Sequence, residues 1–232
     1  MVDDPLLKYA VEHEEVSQRL IEICEMPKTS LSSDEAHSCY MELKQAADNG
    51  SGLAMCLCAL FCRIGLVDSI SSAKAIEWGR KAASKLFAPG FFDIGYCYEH
   101  GIGAEIDFVE ALNCYKESVS AGYGYAAAYL AAKYHDGGLG ERDVEKAIYY
   151  AELGYEYGDS TAPLLLGGWF ENGDGIRKSE GNAVTWYERA SELGSFLATD
   201  RLQSAYEHGE LGLVINKSKA KKYSDLFESQ IP

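Results

Sequence analysis

Residues 88–122, APGFFDIGYCYEHGIGAEIDFVEALNCYKESVSAG, form one complete copy of a unit that recurs on both sides of it along the chain. Gly122 ends this copy, and steps of 36 residues from it reach four further markers, Gly50, Leu86, Gly158 and Gly194. Because the residues between the markers also agree, the chain is a repeat array, in which each unit buries its apolar face against its neighbours.

Three positions counted from each marker carry the pattern. Position twelve is aromatic in all copies but one, in Cys62, Tyr98, Tyr134, Phe170 and Tyr206. Position fifteen is always glycine, in Gly65, Gly101, Gly137, Gly173 and Gly209. Position nine is small except in the last copy, in Ala59, Gly95, Ala131, Gly167 and Gln203. Small residues allow helices to approach closely, and aromatic rings fill the space between units.

Each copy predicts two antiparallel helices. An alanine recurs in the second half of every copy, in Ala75, Ala111, Ala147, Ala183 and, shifted by one residue, Ala220. The glycine at position fifteen is expected to end the first helix, because glycine adopts a positive φ at low cost. Asp107 and Ser179 are expected to cap second helices. We therefore predict an all-α fold, a solenoid of about five to six helix-turn-helix repeats.

The paired glycines between the helices, such as Gly101 and Gly103, also resemble a phosphate-binding loop. Such a loop needs a preceding strand, and the helical spacing of apolar residues indicates none. Their recurrence in every copy favours a structural role at helix ends.

The first 33 residues do not follow the repeat pattern. We predict that residues 1–33 form an N-terminal capping helix, from Pro5 to about Glu25, and a short linker. This helix stands where the first half of a repeat would stand. Ser33 or Asp34 is expected to cap the next helix. Residues 34–232 then form the solenoid, with a C-terminal capping helix.

The composition argues against several classes of protein. The chain has 36 acidic and 21 basic residues, and its net charge of −15 opposes nucleic acids and anionic membranes. The charge favours a basic protein partner or simple solubility. No apolar run approaches the roughly 18 residues of a membrane span, and the acidic N-terminus does not resemble a secretion signal. We expect a cytoplasmic monomer or weak dimer without a cofactor.

The cysteines indicate a reducing compartment. There are seven, they form no CxxC pair, and Cys56, Cys58 and Cys62 fall together within one apolar helix. We interpret them as buried reduced thiols rather than as metal ligands or disulfides.

The copy from Ala162 to Ala190 carries a resemblance to a known family. Its Leu166, Gly167, Phe170, Gly173 and Gly175, followed by Ala183, Trp186, Tyr187 and Ala190, resemble the Sel1-like repeat. The resemblance covers about residues 34–232. It implies a right-handed α-solenoid related to tetratricopeptide arrays and a role as an adaptor or scaffold in protein complexes. A cysteine-rich branch of that family has a regular disulfide in each unit, which this chain lacks.

Three residues depart from the family pattern. Leu86 replaces a glycine, Cys62 replaces a tyrosine, and Gln203 replaces a small residue. We expect the units around these residues to splay or kink.

The analogy with tetratricopeptide helices indicates which residues face a concave binding surface. The candidate partner-binding residues are Arg63, Phe92, Tyr96, Glu99, His100, Tyr125, His135, Asp136, Leu164, Glu171, Asn172, Glu207 and His208. Acids and histidines beside aromatic rings suit a basic segment or helix of a partner. Polar residues before a helix-ending glycine are equally typical of solvated helix ends. A metal ion bridging His100 and His135 is a third interpretation, which the spacing of the histidines does not support.

We predict a non-catalytic protein-binding module that holds one protein partner. Its small size and acidity suit an immunity protein that neutralises a basic toxin or effector, and a regulatory or signalling adaptor is the alternative. An enzyme of the serine hydrolase class is suggested only by Ser71-x-x-Lys74 and Ser218-x-x-Lys221, which match the SxxK element. Ser71 is better explained as a helix N-cap.

Overall fold

The computed structural model describes residues 5–15, 17–26, 31–67 and 70–230. Within these residues all regular secondary structure is α-helical. The helices are α1 Pro5–His13, α2 Gln18–Glu25, α3 Ser33–Asp48, α4 Gly52–Arg63, α5 Ala73–Ser84, α6 Ala88–His100, α7 Phe108–Ser120, α8 Gly124–Asp136, α9 Val144–Glu156, α10 Thr161–Asn172, α11 Glu180–Glu192, α12 Phe196–His208 and α13 Lys217–Gln230. The even-numbered helices from α4 to α12 are the first helices of successive repeats.

The helices form two compact units, Val2–Ala126 and Ala127–Pro232, whose boundary falls within α8. In the first unit α4 packs on α5, α5 on α6, and α6 on α7. In the second unit α9, α10, α11, α12 and α13 pack on one another in chain order. The predicted all-α architecture of repeated helix pairs is confirmed.

The helix ends follow the predicted chemistry. Gly101, Gly173 and Gly209 end α6, α10 and α12 with φ angles of 67°, 72° and 74°. This left-handed conformation costs glycine little, and it lets the chain turn toward the second helix. Asp107 and Ser179 cap α7 and α11 by accepting hydrogen bonds from backbone amides of the first turn.

The two helices of a repeat approach most closely at position nine. A Cβ atom added to Gly95 would lie 2.8 Å from the ring of Tyr115. One added to Gly167 would lie 2.6 Å from the ring of Tyr187. These separations are too short for carbon atoms in contact, so a tyrosine on the second helix requires a glycine on the first.

The seven cysteines are all buried and free of disulfide bonds, as predicted. Burial raises the pKa of the Cys97 thiol to about 12 and that of the Cys114 thiol to about 11. A thiol held in its protonated form is a poor nucleophile and a poor metal ligand, so these side chains act as small apolar groups of the core.

The N-terminal region differs from the single helix predicted to end near Glu25. Two helices, α1 and α2, occupy this span, and both contact α4. Ser17 caps α2 through the amide of Leu20. The carboxylate of Glu14 instead accepts hydrogen bonds from the start of α4. The prediction of a single helix was wrong because the spacing of apolar residues does not indicate the polar contacts of Ser17 and Glu14.

The cap of α3 lies one residue earlier than predicted. Ser32, rather than Ser33 or Asp34, accepts a hydrogen bond from the amide of Glu35, and the Glu35 carboxylate accepts one from the amide of Ser32 at 2.8 Å. This reciprocal pair satisfies two amides that the helix itself leaves without partners.

Leu86 occupies a marker position at which the other copies have glycine. Its φ angle is 60°, in the left-handed region, and it is 81% exposed. The helices α5 and α6 still pack closely across this turn, since a Cβ atom added to Gly90 would lie 2.6 Å from that of Ala82. The predicted splaying is therefore wrong at this turn, where the leucine adopts the conformation of the glycine that it replaces.

The other two departures lie inside helices. Cys62 is buried, and its sulfur lies 4.0 Å from the hydroxyl of Tyr40. That hydroxyl also accepts a hydrogen bond from Trp78 Nε1 at 3.0 Å, so Cys62 lies beside two aromatic side chains that are joined to each other. Gln203 is half-buried within α12.

The close approach at position nine yields the first testable prediction. Gly167→Ala should destabilise the protein by about 1–3 kcal/mol, because the new methyl group overlaps the Tyr187 ring. The adjacent Gly168→Ala is the matched control. Its methyl group would meet only the Tyr187 hydroxyl at 3.9 Å, and alanine is the better helix former. Urea denaturation midpoints measure both, and equal shifts in the two variants would contradict the packing argument.

The conformation of Leu86 yields a second prediction. Leu86→Gly should stabilise the protein by about 0.5–1 kcal/mol, because it removes a side chain from the left-handed region. Leu86→Ala is the control, since it shortens the exposed side chain without relieving the backbone. A rise in the thermal midpoint for glycine alone is expected, and a similar rise for both variants would assign the effect to lost apolar exposure instead.

Candidate partner-binding surfaces

The predicted partner-binding residues lie on or beside the first helices of the repeats, and each compact unit carries its own group. The unit Val2–Ala126 holds Arg63, Phe92, Tyr96, Glu99, His100 and Tyr125, which we name the Tyr96 group. The unit Ala127–Pro232 holds His135, Asp136, Leu164, Glu171, Asn172, Glu207 and His208, which we name the Glu207 group.

Tyr96 is the platform of its group. The Arg63 guanidinium lies 4.2 Å from the centroid of its ring, and the His100 imidazole stacks on it at 4.0 Å. Arg63 Nη1 is also 3.5 Å from Asp93 Oδ1. Within this cluster, the exposed His100 and the half-buried Tyr96 are the side chains that a partner can contact most readily.

Phe92 and Glu99 lie beneath this platform and are buried. The Phe92 ring packs on Tyr115 and Tyr125, with centroids 5.2 and 5.3 Å apart. The Glu99 carboxylate accepts a hydrogen bond from the Tyr115 hydroxyl at 2.6 Å. Phe92 therefore supports the half-buried Tyr96 and Tyr125, whose ring centroids lie 6.5 and 5.3 Å from its own, and Glu99 fixes the Tyr115 ring.

Asp93 belongs to this site although the repeat pattern did not indicate it. Its carboxylate is buried, and burial raises its pKa while the nearby Arg63 guanidinium and a hydrogen bond with Cys56 oppose the rise. Within the described residues the buried Nη1 of Arg63 makes no hydrogen bond, so Asp93 holds Arg63 mainly by charge. An acid among the apolar residues at the start and middle of α6 was the available signal.

Residues at position fourteen point outward in both units. His100, Asp136, Asn172 and His208 are all exposed. In His100 and His208 the Nδ1–H group donates to the backbone carbonyl four residues earlier, at 3.0 and 3.1 Å. Asn172 Nδ2 donates in the same way to the carbonyl of Gly168 at 3.0 Å. The fixed side chains line the last turns of α6, α10 and α12.

His135 is buried, unlike its neighbour Asp136. Its ring stacks on Trp169 with centroids 4.3 Å apart, and Nδ1 is 2.8 Å from Asp136 Oδ1. Nε2 lies 3.2 Å from the carbonyl oxygen of Asp174 and 3.3 Å from Arg142 Nη2. His135 thus ties α8 to α10 and the loop that follows it, and it orients the exposed Asp136.

Glu171 is half-buried and fully engaged inside its unit. It accepts a hydrogen bond from the Tyr187 hydroxyl at 2.6 Å and an ion-paired one from Arg201 Nη2 at 2.7 Å. The Arg201 contact is the main cause that lowers the pKa of the Glu171 carboxyl. Arg201 also pairs with Glu210. Half-buried Leu164 packs against the hydrophobic core of this unit.

Arg201 was also missed by the repeat pattern, and it stands at the same repeat position as Asp93. In one unit Arg63 at position thirteen pairs with Asp93 at position seven of the next repeat. In the other unit Glu171 at position thirteen pairs with Arg201 at position seven of the next repeat. The same inter-repeat contact therefore occurs twice with its charges reversed, which a search for conserved residue types would overlook.

Glu207 differs from the other acids at position thirteen. It is exposed, and in the part of the chain that the structure describes it forms no ion pair. Nearby Tyr206 is buried, stacks on Tyr223 with centroids 5.8 Å apart, and accepts a hydrogen bond from Lys219 Nζ. Glu207 and His208 therefore present a carboxylate and an imidazole from a rigid helix end.

The residues of the SxxK matches are all exposed at helix starts. Lys74 Nζ is 2.6 Å from Glu77 Oε2, and Ser71 Oγ accepts a hydrogen bond from the amide of Ala73. A serine nucleophile needs an adjacent base to take its proton, and an ammonium paired with a carboxylate does not serve that role. This geometry gives the hydrolase interpretation no support.

Among residues 5–15, 17–26, 31–67 and 70–230, no three His, Cys, Asp or Glu side chains are grouped so that they could hold a metal ion. None of the helices over the same ranges combines the length and apolar character needed to cross a membrane.

Comparison with known proteins identifies the repeat. The family model of the Sel1 repeat matches residues 52–85, 92–123, 124–159 and 164–195, which together exceed half of the chain. The chitin synthase regulator SKT5 of Malassezia restricta is 29% identical over 154 residues, which are 64% of this chain and 10% of that protein. The chain thus spans about a tenth of the length of this relative.

Two crystal structures share the fold. A Sel1 repeat protein from Oxalobacter formigenes is 25% identical with a TM-score of 0.68, over 98% of this chain and 89% of that chain. The immunity protein Pa5087 of Pseudomonas aeruginosa is 18% identical with a TM-score of 0.67, over 95% of this chain and 86% of that one. At that identity the second likeness shows the fold alone. The predicted fold class, an α-solenoid of helix-turn-helix repeats, is confirmed.

The ion pair of Glu171 yields a prediction on pH dependence. Because folding lowers the pKa of Glu171, its contribution to stability is fully present above its ordinary value of 4.5 and is lost as the pH falls below it. Glu171→Gln should therefore cost about 1 kcal/mol at pH 7, and this difference from the wild type should shrink toward pH 3. Thermal midpoints measured across this range provide the test.

The matched control is Glu207→Gln, which changes an exposed acid at the same position of the next repeat. Its effect should stay within about 0.5 kcal/mol at every pH. A Glu171→Gln cost that is independent of pH, or that Glu207→Gln reproduces, would contradict the assignment of stability to the Arg201 pair.

Proposed function

The chain belongs to the Sel1 repeat family, and on this basis we propose that it is a non-catalytic module that binds a protein partner through its Tyr96 and Glu207 groups. Sel1 repeat proteins mediate protein–protein interaction. The observation that carries the proposal for this chain is Glu207, an exposed acid that forms no ion pair within the described residues. Glu207 lies at repeat position thirteen beside the exposed His208, so its carboxylate is accessible to a basic group of a partner, which supports a role in binding.

Each group supplies its own kind of contact within its own unit. The Tyr96 platform offers an aromatic ring flanked by Arg63 and His100. Aromatic and arginine side chains commonly dominate the energy of protein interfaces. The Glu207 group adds the exposed carboxylates of Asp136 and Glu207, which raise the rate of association with a positively charged partner.

The side chains of Phe92, Glu99, His135 and Glu171 contribute indirectly in this proposal. Each is buried or half-buried and is held by contacts within its own unit. They fix the helix ends from which the exposed residues project. A rigid surface loses little entropy on binding, which favours affinity.

The partner that suits this surface is a basic protein. The net charge of −15 and the exposed acids favour a neutraliser of a basic toxin or effector, in the manner of an immunity protein. A regulatory or signalling adaptor is the second candidate, supported by the repeat architecture itself. A pull-down from the source organism distinguishes them, because one stoichiometric toxin-like partner fits the first and several signalling proteins fit the second.

Charge reversal tests the proposed surface. The double variant Asp136→Lys with Glu207→Lys should weaken binding of the captured partner at least about tenfold, because it replaces attraction with repulsion at two exposed helix ends. Isothermal calorimetry measures the affinity, and circular dichroism confirms unchanged helicity.

The control is Glu152→Lys with Glu192→Lys, which makes the same change in net charge at exposed sites on the second helices α9 and α11. It should leave affinity within about twofold of the wild type, apart from a general electrostatic effect that salt screens. Equal losses in both double variants would show that net charge, and not this surface, governs binding.

A further inference from the structure

The helix α1 lies across the N-terminal ends of first helices in the unit Val2–Ala126. Tyr9 inserts between Phe87 and Tyr123, with centroids 5.3 and 5.4 Å from its own. Its hydroxyl also donates to the carbonyl oxygen of Ala121 at 3.4 Å. Phe87 precedes α6 and Tyr123 precedes α8, so one side chain of α1 bridges two successive repeats. This helix therefore covers the repeats rather than extending them.

The second anchor of this segment is Glu14, just after α1. Its carboxylate accepts hydrogen bonds from the Gly52 amide at 2.8 Å, the Leu53 amide at 3.1 Å and the Ser51 hydroxyl at 2.9 Å. The N-terminus of a helix carries free amides and partial positive charge, and a carboxylate there is strongly held. Glu14 thus supplies to α4 an anion that α4 does not contain in its own first turn.

The start of α10 in another repeat also binds a carboxylate. At the start of α10 the carboxylate of Asp159 accepts hydrogen bonds from the amides of Thr161 and Ala162, both at 2.9 Å. Asp159 belongs to the same repeat as α10, so no outside segment is needed there. At α4 the equivalent carboxylate belongs to Glu14, just after α1 and more than thirty residues earlier in the chain.

The construction of α1 suits a segment that can leave. The helix has nine residues, and helices of this length are marginal in water without tertiary contacts. One face is buried through Leu7, Tyr9 and Ala10, while Val11 and Glu12 are exposed. Its hold on the repeats therefore depends on a few anchors, of which Tyr9 and Glu14 are the most specific.

We propose that the surface formed by Ser51–Leu53, Phe87 and Tyr123 is a docking site for an acidic segment with a carboxylate five residues after an aromatic ring, and that α1 is its intramolecular occupant. The Tyr9 ring fills the aromatic cleft and the Glu14 carboxylate caps α4. An external segment with the same two anchors takes the site by displacing α1. This surface lies at the opposite ends of the helices from those used in the proposed function and does not depend on it.

Tethering determines how the site responds. A segment attached to its own site acts at an effective concentration of about millimolar, so a free segment with equal contacts competes poorly. Loosening α1 in the full chain should therefore increase the affinity for a free copy of it. A structural cap without exchange would show no such increase.

The test uses a fluorescent peptide of residues 5–15, PLLKYAVEHEE, and full-length chains. By fluorescence anisotropy, the Tyr9→Ala chain should bind this peptide at least about tenfold more tightly than the wild-type chain. Glu12→Gln is the matched control chain, because Glu12 is an exposed acid of α1, and it should bind as the wild type does. A peptide carrying Tyr9→Ala and Glu14→Gln should not bind the loosened chain. Equal affinity of the wild-type and Tyr9→Ala chains, or retained binding of the altered peptide, would overturn the proposal.

Hydrogen exchange separates release from unfolding. In the Tyr9→Ala chain the amides of α1 should exchange faster, while α6 and α7 keep the protection of the wild type. Adding the unlabelled peptide should restore protection at Gly52 and Leu53. Loss of protection throughout α6 and α7 would overturn the proposal, because α1 would then be part of the fold and not an occupant of it.

Discussion

The contact between a glycine on the first helix and a tyrosine on the second sets the geometry of two repeats. Gly95 faces Tyr115, and Gly167 faces Tyr187 at separations that leave no room for a Cβ atom. In the repeat between them Ala131 and Ala151 occupy the equivalent positions, and both lie in one core cluster. Tyrosine at the second position thus occurs with glycine at the first, whereas alanine at the second position leaves room for alanine at the first.

This contact also decides where the position-thirteen side chain lies. The hydroxyls of Tyr115 and Tyr187 donate to Glu99 and Glu171, each at 2.6 Å, and draw these carboxylates toward the core. A buried hydroxyl needs such a partner. The acids that the repeat pattern nominated for binding thus have a structural role in these copies, and position fourteen carries the exposed groups. In the last copy, whose second helix is shifted by one residue, Ser224 stands at the position of this tyrosine. There Glu207 stays exposed.

The fold was predictable because its determinants recur. Position fifteen ended helices as expected at Gly101 and Gly173, and Asp107 capped α7. Contacts that do not repeat the same residue types at the same position were not predictable in this way. Glu14 caps α4 from about forty residues earlier, which no local pattern reports. The pairing of Arg63 with Asp93, repeated with opposite charges between Glu171 and Arg201, was hidden because position seven has no constant residue type.

Charge at the two ends of the first helices follows different rules. At the N-terminal ends the carboxylates of Glu14 and Asp159 accept amide hydrogen bonds, as the helix dipole favours. At the C-terminal ends the acids oppose the dipole, and most are compensated: Glu99 by a tyrosine hydroxyl and Glu171 by Arg201. Glu207 lacks an ion-pair partner in the described residues. The Glu207 carboxylate therefore remains accessible to a cationic group, which supports the proposed binding of a basic partner at this helix end.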